Sequence, residues 1–412
     1  MRNALLAFLF IFPVFAFSSG SAVISIEKTW SLHAEEMITD LELNGTFLVK
    51  NDYQEILQMN VTDEGARFEE SNGTVRVVFN ADKFSGEKQI TASALVRTEY
   101  PLEIRTNPEF IPSPANASGL IEYDEHISST SEAISSGKKT ELEAVVAVAD
   151  WVHDYLSYDM EFWGSPSSAK TVFNEPRGVC VGYAHLFISM LRSLGFETRF
   201  VSGYAFAEEW QPHAWAEVKI GESWVPVDPT FREVGALDAR HLASSYSSDQ
   251  SGAYDLLVAR GNGFDFNSTV SVSTSEKEKF EELIFVHTVL YDDDLKVTLY
   301  NPSSSYITPT YEFAMPEFIL TKDTRIIVIP PSSSKEITYR LNTGELEAGY
   351  THNVPYYLSV QGTSVEGEHS IMKGSIADAE PEEEYSETQQ HESCPLIALS
   401  LAMGLAGLFL RS

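Results

Sequence analysis

The feature that most constrains this chain is a double change of hydrophobic period. Residues 22–104 alternate apolar and polar positions in short runs, such as Thr46-Phe-Leu-Val, Val75-Arg-Val-Val-Phe and Ile90-Thr-Ala-Ser-Ala-Leu-Val, with Gly, Asn and Asp between them. A period of two marks half-buried strands, so an antiparallel β-sandwich is expected over 23–105. A linker at 106–119 follows, marked by Pro108, Pro112, Pro114 and Gly119. The period then lengthens to that of helices. Residues 125–136 read as a weak helix. Thr140 and Glu143 form a capping box ahead of a strong one, whose apolar face is Leu142, Val145, Val146, Ala149, Val152 and Leu156. The apolar stretch 184–194 continues a third helix, and strand-like runs follow at 198–202, 214–220 and 224–227. Helices followed by antiparallel strands predict an α+β domain at 120–263. Short strands return in the runs 285–291, 295–300, 310–313, 325–329, 336–341 and 356–361, predicting a second β-sandwich at 283–376.

With 412 residues the chain can build two or three cores. Asp and Glu total 60 against 28 Lys and Arg, a formal charge of −32. Such a surface repels phosphate backbones, so nucleic acid is not expected as a partner. Met1-Arg-Asn, the apolar run 4–17 and Ser-Ser-Gly-Ser-Ala22 have the order of a signal peptide, expected at 1–22. Residues 378–393 are acidic and nearly free of aliphatics, as in an extended stalk. Beyond them, 394–412 begins Cys394-Pro and is apolar over 395–410 before Arg411. A helix of that length spans about 24 Å against a bilayer core of about 30 Å, a short span with a basic stop. This tail resembles archaeal and bacterial C-terminal sorting signals, although the Gly of a Cys-Gly-Pro motif is missing. Both a sorting signal and a plain membrane anchor fit it. Together the ends predict a protein on the outer face of the cell membrane. Five sequons, at Asn44, Asn60, Asn72, Asn116 and Asn267, would be candidate glycan sites there.

Cys180 is one of two cysteines, and the other, Cys394, lies far from any expected core. Exported proteins that use cysteine for stability carry even sets on folded domains, so Cys180 reads as a free thiol. Asn174-Glu-Pro-Arg-Gly178-Val-Cys180 puts it in the first turn of the third helix, where free N–H groups favour a thiolate. Downstream lie His213 and Asp228. In strands, His213, Trp215 and Glu217 share one face, and Ala214, Ala216 and Val218 share the other. The second set would pack on the helix, and the first would face the site or solvent. If the two strands pair as a hairpin, Asp228 can accept from one ring nitrogen of His213 while the other meets the thiol. His185 sits on the same helix as Cys180 but about 140° around it. His153 is read as a helix-end residue. No His-x-x-His or Cys-x-x-Cys pair is present, so a metal is not expected.

These residues carry a resemblance. Gly178-Val-Cys180-Val-Gly-Tyr183-Ala, Leu191-Arg-Ser-Leu-Gly195-Phe-Glu-Thr-Arg199, His213-Ala-Trp215-Ala-Glu217-Val and Trp224-Val-Pro-Val-Asp228-Pro229-Thr230 resemble the transglutaminase-like superfamily. The resemblance covers roughly 140–231. It implies a papain-like α+β core flanked here by the two β-sandwiches, with Cys180 as nucleophile, His213 as proton carrier and Asp228 as its orienting group. The Cys180 N–H is expected in the oxyanion hole, with Asn174 as a weaker candidate beside it. Trp215, Trp224 and Tyr183 are candidates for lining the substrate channel. The implied activity is that of a cell-surface thiol enzyme on protein or peptide amides of the envelope, ending in hydrolysis or in transfer to an amine. The competing reading is a non-catalytic scaffold that binds peptides or mediates adhesion. No cofactor is implied. Some relatives use calcium, and Tyr291-Asp-Asp-Asp294 is an acidic loop of the kind it would need, or simply a hairpin turn.

Overall fold

The computed structural model describes residues 14–373 except 101, 102, 166 and 362. The expected stalk at 378–393 and the tail at 394–412, with Cys394, lie outside the described residues. So does most of the expected leader, but its residues 14–22 open the first strand. The N-terminal region has β1 (Val14–Val49), β2 (Gln54–Val61), β3 (Ala66–Ser71) and β4 (Thr74–Tyr100). β1 and β4 are long single strands where the sequence reads as several short ones. Along β1, register shifts between Ala34 and Ile38 and between Thr46 and Leu48 break the alternation. Along β4, the two apolar runs are joined by a mostly exposed stretch, 80–88, in which only Ala81 and Phe84 are apolar.

Helices follow: α1 (Glu125–Ser135), α2 (Glu141–Tyr155), α3 (Ala169–Asn174) and α4 (Cys180–Leu194). Asp124 caps α1 by accepting from the His126 and Ile127 N–H groups. Thr140 caps α2 through the Glu143 N–H, and the Glu143 carboxylate accepts in return from the Lys139 N–H. Two short parallel strands, β5 (Ser157–Tyr158) and β6 (Arg177–Gly178), lead into α4. α4 ends at Gly195 with φ 101°, and a Cβ there would lie 2.2 Å from the Ser113 carbonyl oxygen. Only glycine fits both the left-handed turn and the approach. The linker expected at 106–119 is strapped to the core. Its Ser113 and Ala115 N–H groups donate to the Leu194 and Arg192 carbonyls in the last turn of α4.

The core sheet contains β7 (Thr198–Phe206), β8 (Trp210–Ile220), β9 (Ser223–Asp228), β10 (Glu233–Val234) and β11 (His241–Ser247). Its order is β10-β9-β8-β7-β11, antiparallel throughout. β8 sets the layering. Ala214, Ala216 and Val218 pack with α4 in one cluster, while Trp215 packs with Val201 and Leu242 on the buried faces of β1 and β4. The face expected to look onto the site or solvent is therefore covered by the N-terminal sheet along most of its length. Fully burying side chains of this size stabilises by about 1.5–3 kcal/mol each, enough to dock two layers firmly.

The remaining strands are β12 (Leu256–Arg260), β13 (Phe264–Tyr291), β14 (Asp294–Asn301), β15 (Thr310–Ala314), β16 (Asp323–Ile326), β17 (Ser333–Arg340), β18 (Thr351–Val360) and β19 (Thr363–Met372). One eight-stranded sheet, ordered β17-β14-β13-β1-β4-β2 with β12 on β1 and β3 on β4, runs through both flanking regions. The N-terminal β-region expected at 23–105 is thus completed by strands from 256 onward, beyond the core in sequence. At the other end, Leu295, Val297 and Leu299 of β14 bury against Tyr311, Phe313, Leu358 and Val360 of the sheet β16-β15-β18-β19. The Tyr291–Asp294 segment is the tight turn joining β13 to β14, and Asp293 and Asp294 pair with Arg340. Asn60, Asn72, Asn116 and Asn267 are exposed, whereas Asn44 is half-buried and accepts from Arg76. No helix among the described residues is long and apolar enough to cross a membrane.

Candidate active site

Cys180 opens α4, and the residue before it, Val179, supplies no side-chain cap. The first-turn N–H groups therefore look for partners outside the helix. The Tyr158 hydroxyl, delivered by β5, lies beside the Cys180 backbone N–H. Burial, then the charges of Cys180 and Asp228, raise the Tyr158 phenol above its ordinary range, so it stays a neutral hydroxyl. Cys180 is 2% exposed, and it is the free cysteine among the described residues.

The β8–β9 hairpin brings the other two groups together. Ala216 pairs with Val227 and Glu217 with Pro226, a register that puts His213 and Asp228 on one face. His213 Nε2 lies 2.6 Å from Asp228 Oδ2, and Asp228 is fully buried. The His213 ring also lies near Cys180, and the two line the same cleft. Asp228 Oδ1 accepts from the Thr230 and Phe231 N–H groups at 2.8 and 3.2 Å. Phe231 stacks on the His213 ring at 4.8 Å and 12°, and Trp215 lies at 6.0 Å and 26°. These planes fix the imidazole between carboxylate and thiol.

A third residue enters that the sequence reading did not single out. His241, fully buried at the start of β11, places Nε2 3.2 Å from the same Asp228 Oδ2. Its Nδ1 is 2.9 Å from the Asp238 carbonyl oxygen. A lone His in Ala239-Arg-His-Leu gives no sequence signal, because the contact forms only when β11 closes the far edge of the sheet.

Electrostatics follow from this crowding. Burial alone would lower the His213 pKa, but the Asp228 charge, its hydrogen bond and Cys180 outweigh that and push it up to about 10. Burial would raise Asp228, yet the charge and hydrogen bond of His213, then those of His241, hold it far below the usual carboxylate range. A His–Asp pair beside a cysteine is the arrangement that can take up a thiol's proton. His213, Asp228 and His241 also bring three potential ligand atoms within 4.8 Å of one another. Those nitrogens already serve carboxylate and carbonyl acceptors, so a cation there would have to replace existing hydrogen bonds.

Cys180 and His213 open onto a cleft of about 480 Å³. Val179, Phe200 and Tyr204 line the core side, and Lys28, Thr46 and Asp255 the side of the N-terminal sheet. The latter three hold each other: Lys28 Nζ lies 2.9 Å from both Asp255 Oδ1 and the Thr46 carbonyl oxygen. The weaker sequence candidates fall elsewhere. Trp215 is fully buried between the layers. Trp224 lies under the Arg199 guanidinium, 4.2 Å from its ring. Tyr183 is buried and donates to the Leu156 carbonyl at 2.7 Å. None of the three lines the cleft. Asn174 is exposed at the end of α3 and donates to the Lys170 carbonyl, away from Cys180. His185 spends both nitrogens on the Ser167 carbonyl and the Gln250 N–H, and His153 faces the Pro229 carbonyl.

A catalytic-type Cys at a helix start, facing a His–Asp pair on adjacent strands, defines a papain-like arrangement. Residues 128–229 match the family model of the Transglutaminase-like superfamily, so this segment is a transglutaminase-like domain. Over 97 residues the chain is 37% identical to an uncharacterized protein of Mycobacterium leprae (strain TN), covering 21% of this chain and 34% of that protein. The chain thus spans about a third of that curated relative. A proposed cysteine protease from Cytophaga hutchinsonii is similar in structure, with TM-score 0.48 and 19% identity over 65% of this chain and 94% of that one. Red sea bream transglutaminase is similar at TM-score 0.21 and 9% identity, over 86% of this chain and 80% of that one. Neither structural likeness bears on activity.

Proposed function

We propose that this chain is a thiol enzyme that cleaves or transfers protein or peptide amides through Cys180, His213 and Asp228. The observation that carries the reading is the His213 ring, hydrogen-bonded to Asp228 through Nε2 and lining the same cleft as Cys180. With the proton of the Cys180 thiol held on His213, the sulfur attacks the amide carbonyl carbon, and the C=O π pair moves onto the oxygen. The Cys180 N–H receives that oxyanion, displacing or sharing the Tyr158 hydroxyl. On collapse, the departing amine takes a proton from His213, leaving a thioester. Water or an amine then attacks the thioester, giving its proton to His213, and the sulfur leaves. Water is present at about 55 M, so hydrolysis is the default outcome in a cleft open to solvent.

The cell-surface location belongs to the same proposal. It is supported by the leader-like start and the apolar tail in the sequence. The test is direct. Purified protein is given a glutamine-donor peptide with a fluorescent amine acceptor, and in parallel a set of peptide substrates. Amine incorporation or cleavage that disappears in Cys180→Ala is expected. A Cys180 that alkylates with iodoacetamide at pH 6 no faster than free cysteine, together with no activity in either assay, overturns the reading.

A further inference from the structure

We infer that His241 is a positioning residue for the Cys180 site: it anchors Asp228 from the far side and so fixes how His213 meets the thiol. The inference rests on the thiol-enzyme reading for its catalytic consequence, but its geometry stands independently. His241 does not line the cleft and is fully buried, so it does not touch substrate. Its two nitrogens are nonetheless both committed. The Asp238 carbonyl can only accept, so Nδ1 donates to it at 2.9 Å. The ionised Asp228 can only accept as well, so the 3.2 Å contact at Nε2 is a hydrogen bond only when that nitrogen also carries a proton. Both contacts run to acceptor oxygens, so the ring is held from two sides.

Asp228 Oδ2 thereby receives two imidazole donors, and Oδ1 receives two backbone N–H groups. That set leaves the carboxylate no freedom to rotate away from His213. His241 is itself boxed edge-on, by Trp215 at 5.3 Å and 88° and by Phe231 at 5.7 Å and 77°. The charged and titratable neighbours are His213 on β8, Asp228 on β9, Glu233 on β10, and Asp238 and Arg240 in the loop before β11. Burial lifts the Glu233 carboxyl well above its ordinary range, and Asp238 pairs with Arg240. A group needed only to fill space would not require donors on both sides, and leucine has nearly the same volume.

The experiment compares wild type with His241→Leu and His241→Gln in the full chain. It reads kcat and KM, the pH profile of Cys180 alkylation, and the ¹⁵N-histidine NMR signals of His213. His241→Leu is expected to lower kcat ten- to a hundredfold with KM within twofold. It should also slow alkylation at pH 6 and shift the His213 ring signals. His241→Gln, which returns one donor to Asp228, should recover part of each loss. Should His241→Leu fail to fold, the Gln variant carries the test through its partial losses in the same readouts. Wild-type kcat, alkylation profile and His213 signals in a folded variant would overturn the inference while leaving the thiol-enzyme reading in place. A shifted His213 signal in a protein whose wild type is inactive would do the reverse.

Discussion

Two fully buried carboxylates lie on one face of the same hairpin, and they are used differently. Glu217, on β8, accepts from Arg199 Nε at 2.7 Å, from the Tyr246 hydroxyl at 2.9 Å and from the Tyr53 hydroxyl. Arg199 is held between the rings of Trp224 and Tyr246, and Tyr53 comes from the turn between β1 and β2. Asp228, at the end of β9, has imidazoles as partners instead. A guanidinium keeps its charge at every pH a protein meets, while an imidazole can gain or lose a proton near neutrality. The Glu217 end is thus a fixed joint between two layers, and the Asp228 end can pass protons to a thiol. Burial alone does not mark a buried carboxylate as functional; the titrability of its partner does.

The comparison can be broken at either end. The largest effect is expected from Cys180→Ala, which should abolish amide cleavage or transfer while moving the melting temperature little, as read by a parallel activity and thermal-denaturation assay. Asp228→Asn should lower kcat by about a thousandfold, because the amide cannot hold the imidazolium that forms. Steady-state kinetics with KM nearly unchanged would bear this out, and a loss under tenfold would place Asp228 outside the mechanism. Glu217→Ala should act on stability instead, costing about 3 kcal/mol in a denaturant melt. Activity per folded molecule should persist, since Glu217 touches no group of the cleft; a selective loss of kcat would erase the distinction drawn above.

The smallest effect is on pH. Folding raises the His213 pKa from 6.5 to about 10, so its contribution is whole below 6.5 and is lost as pH rises through about 10. Asp228 is shifted downward, so its contribution is present above 3.8 and is lost only as pH falls through its lower folded value. Wild-type stability should therefore decline between pH 6.5 and 10 more steeply than that of His213→Gln. Equal slopes in the two melts would show that His213 is not held protonated by the fold.

Much of the core was legible because its signals are local. The Thr140 cap, the helix that starts at Cys180, the Gly195 stop and the shared face of His213 and Asp228 all follow from spacing and residue type. What was misread depended on distant partners. Trp215 resembles a channel aromatic by position, yet its face of β8 is covered by β1 and β4. Asn174 stands near Cys180 in sequence, yet the end of α3 turns it toward its own helix. The strands from 256 onward return to pair with β1, a long-range connection that no local period reveals.

The sequence by itself determined the alternation of strand and helix periods, the helix that places the thiol at its first turn, and the hairpin that puts an imidazole beside a carboxylate. These are fixed by backbone geometry over a few residues. Only the tertiary structure decided that the open face of the hairpin is roofed by the N-terminal sheet, that the cleft lies between two layers, and that His241 reaches Asp228. Those depend on which surfaces bury each other, and burial is a property of the whole chain rather than of any segment.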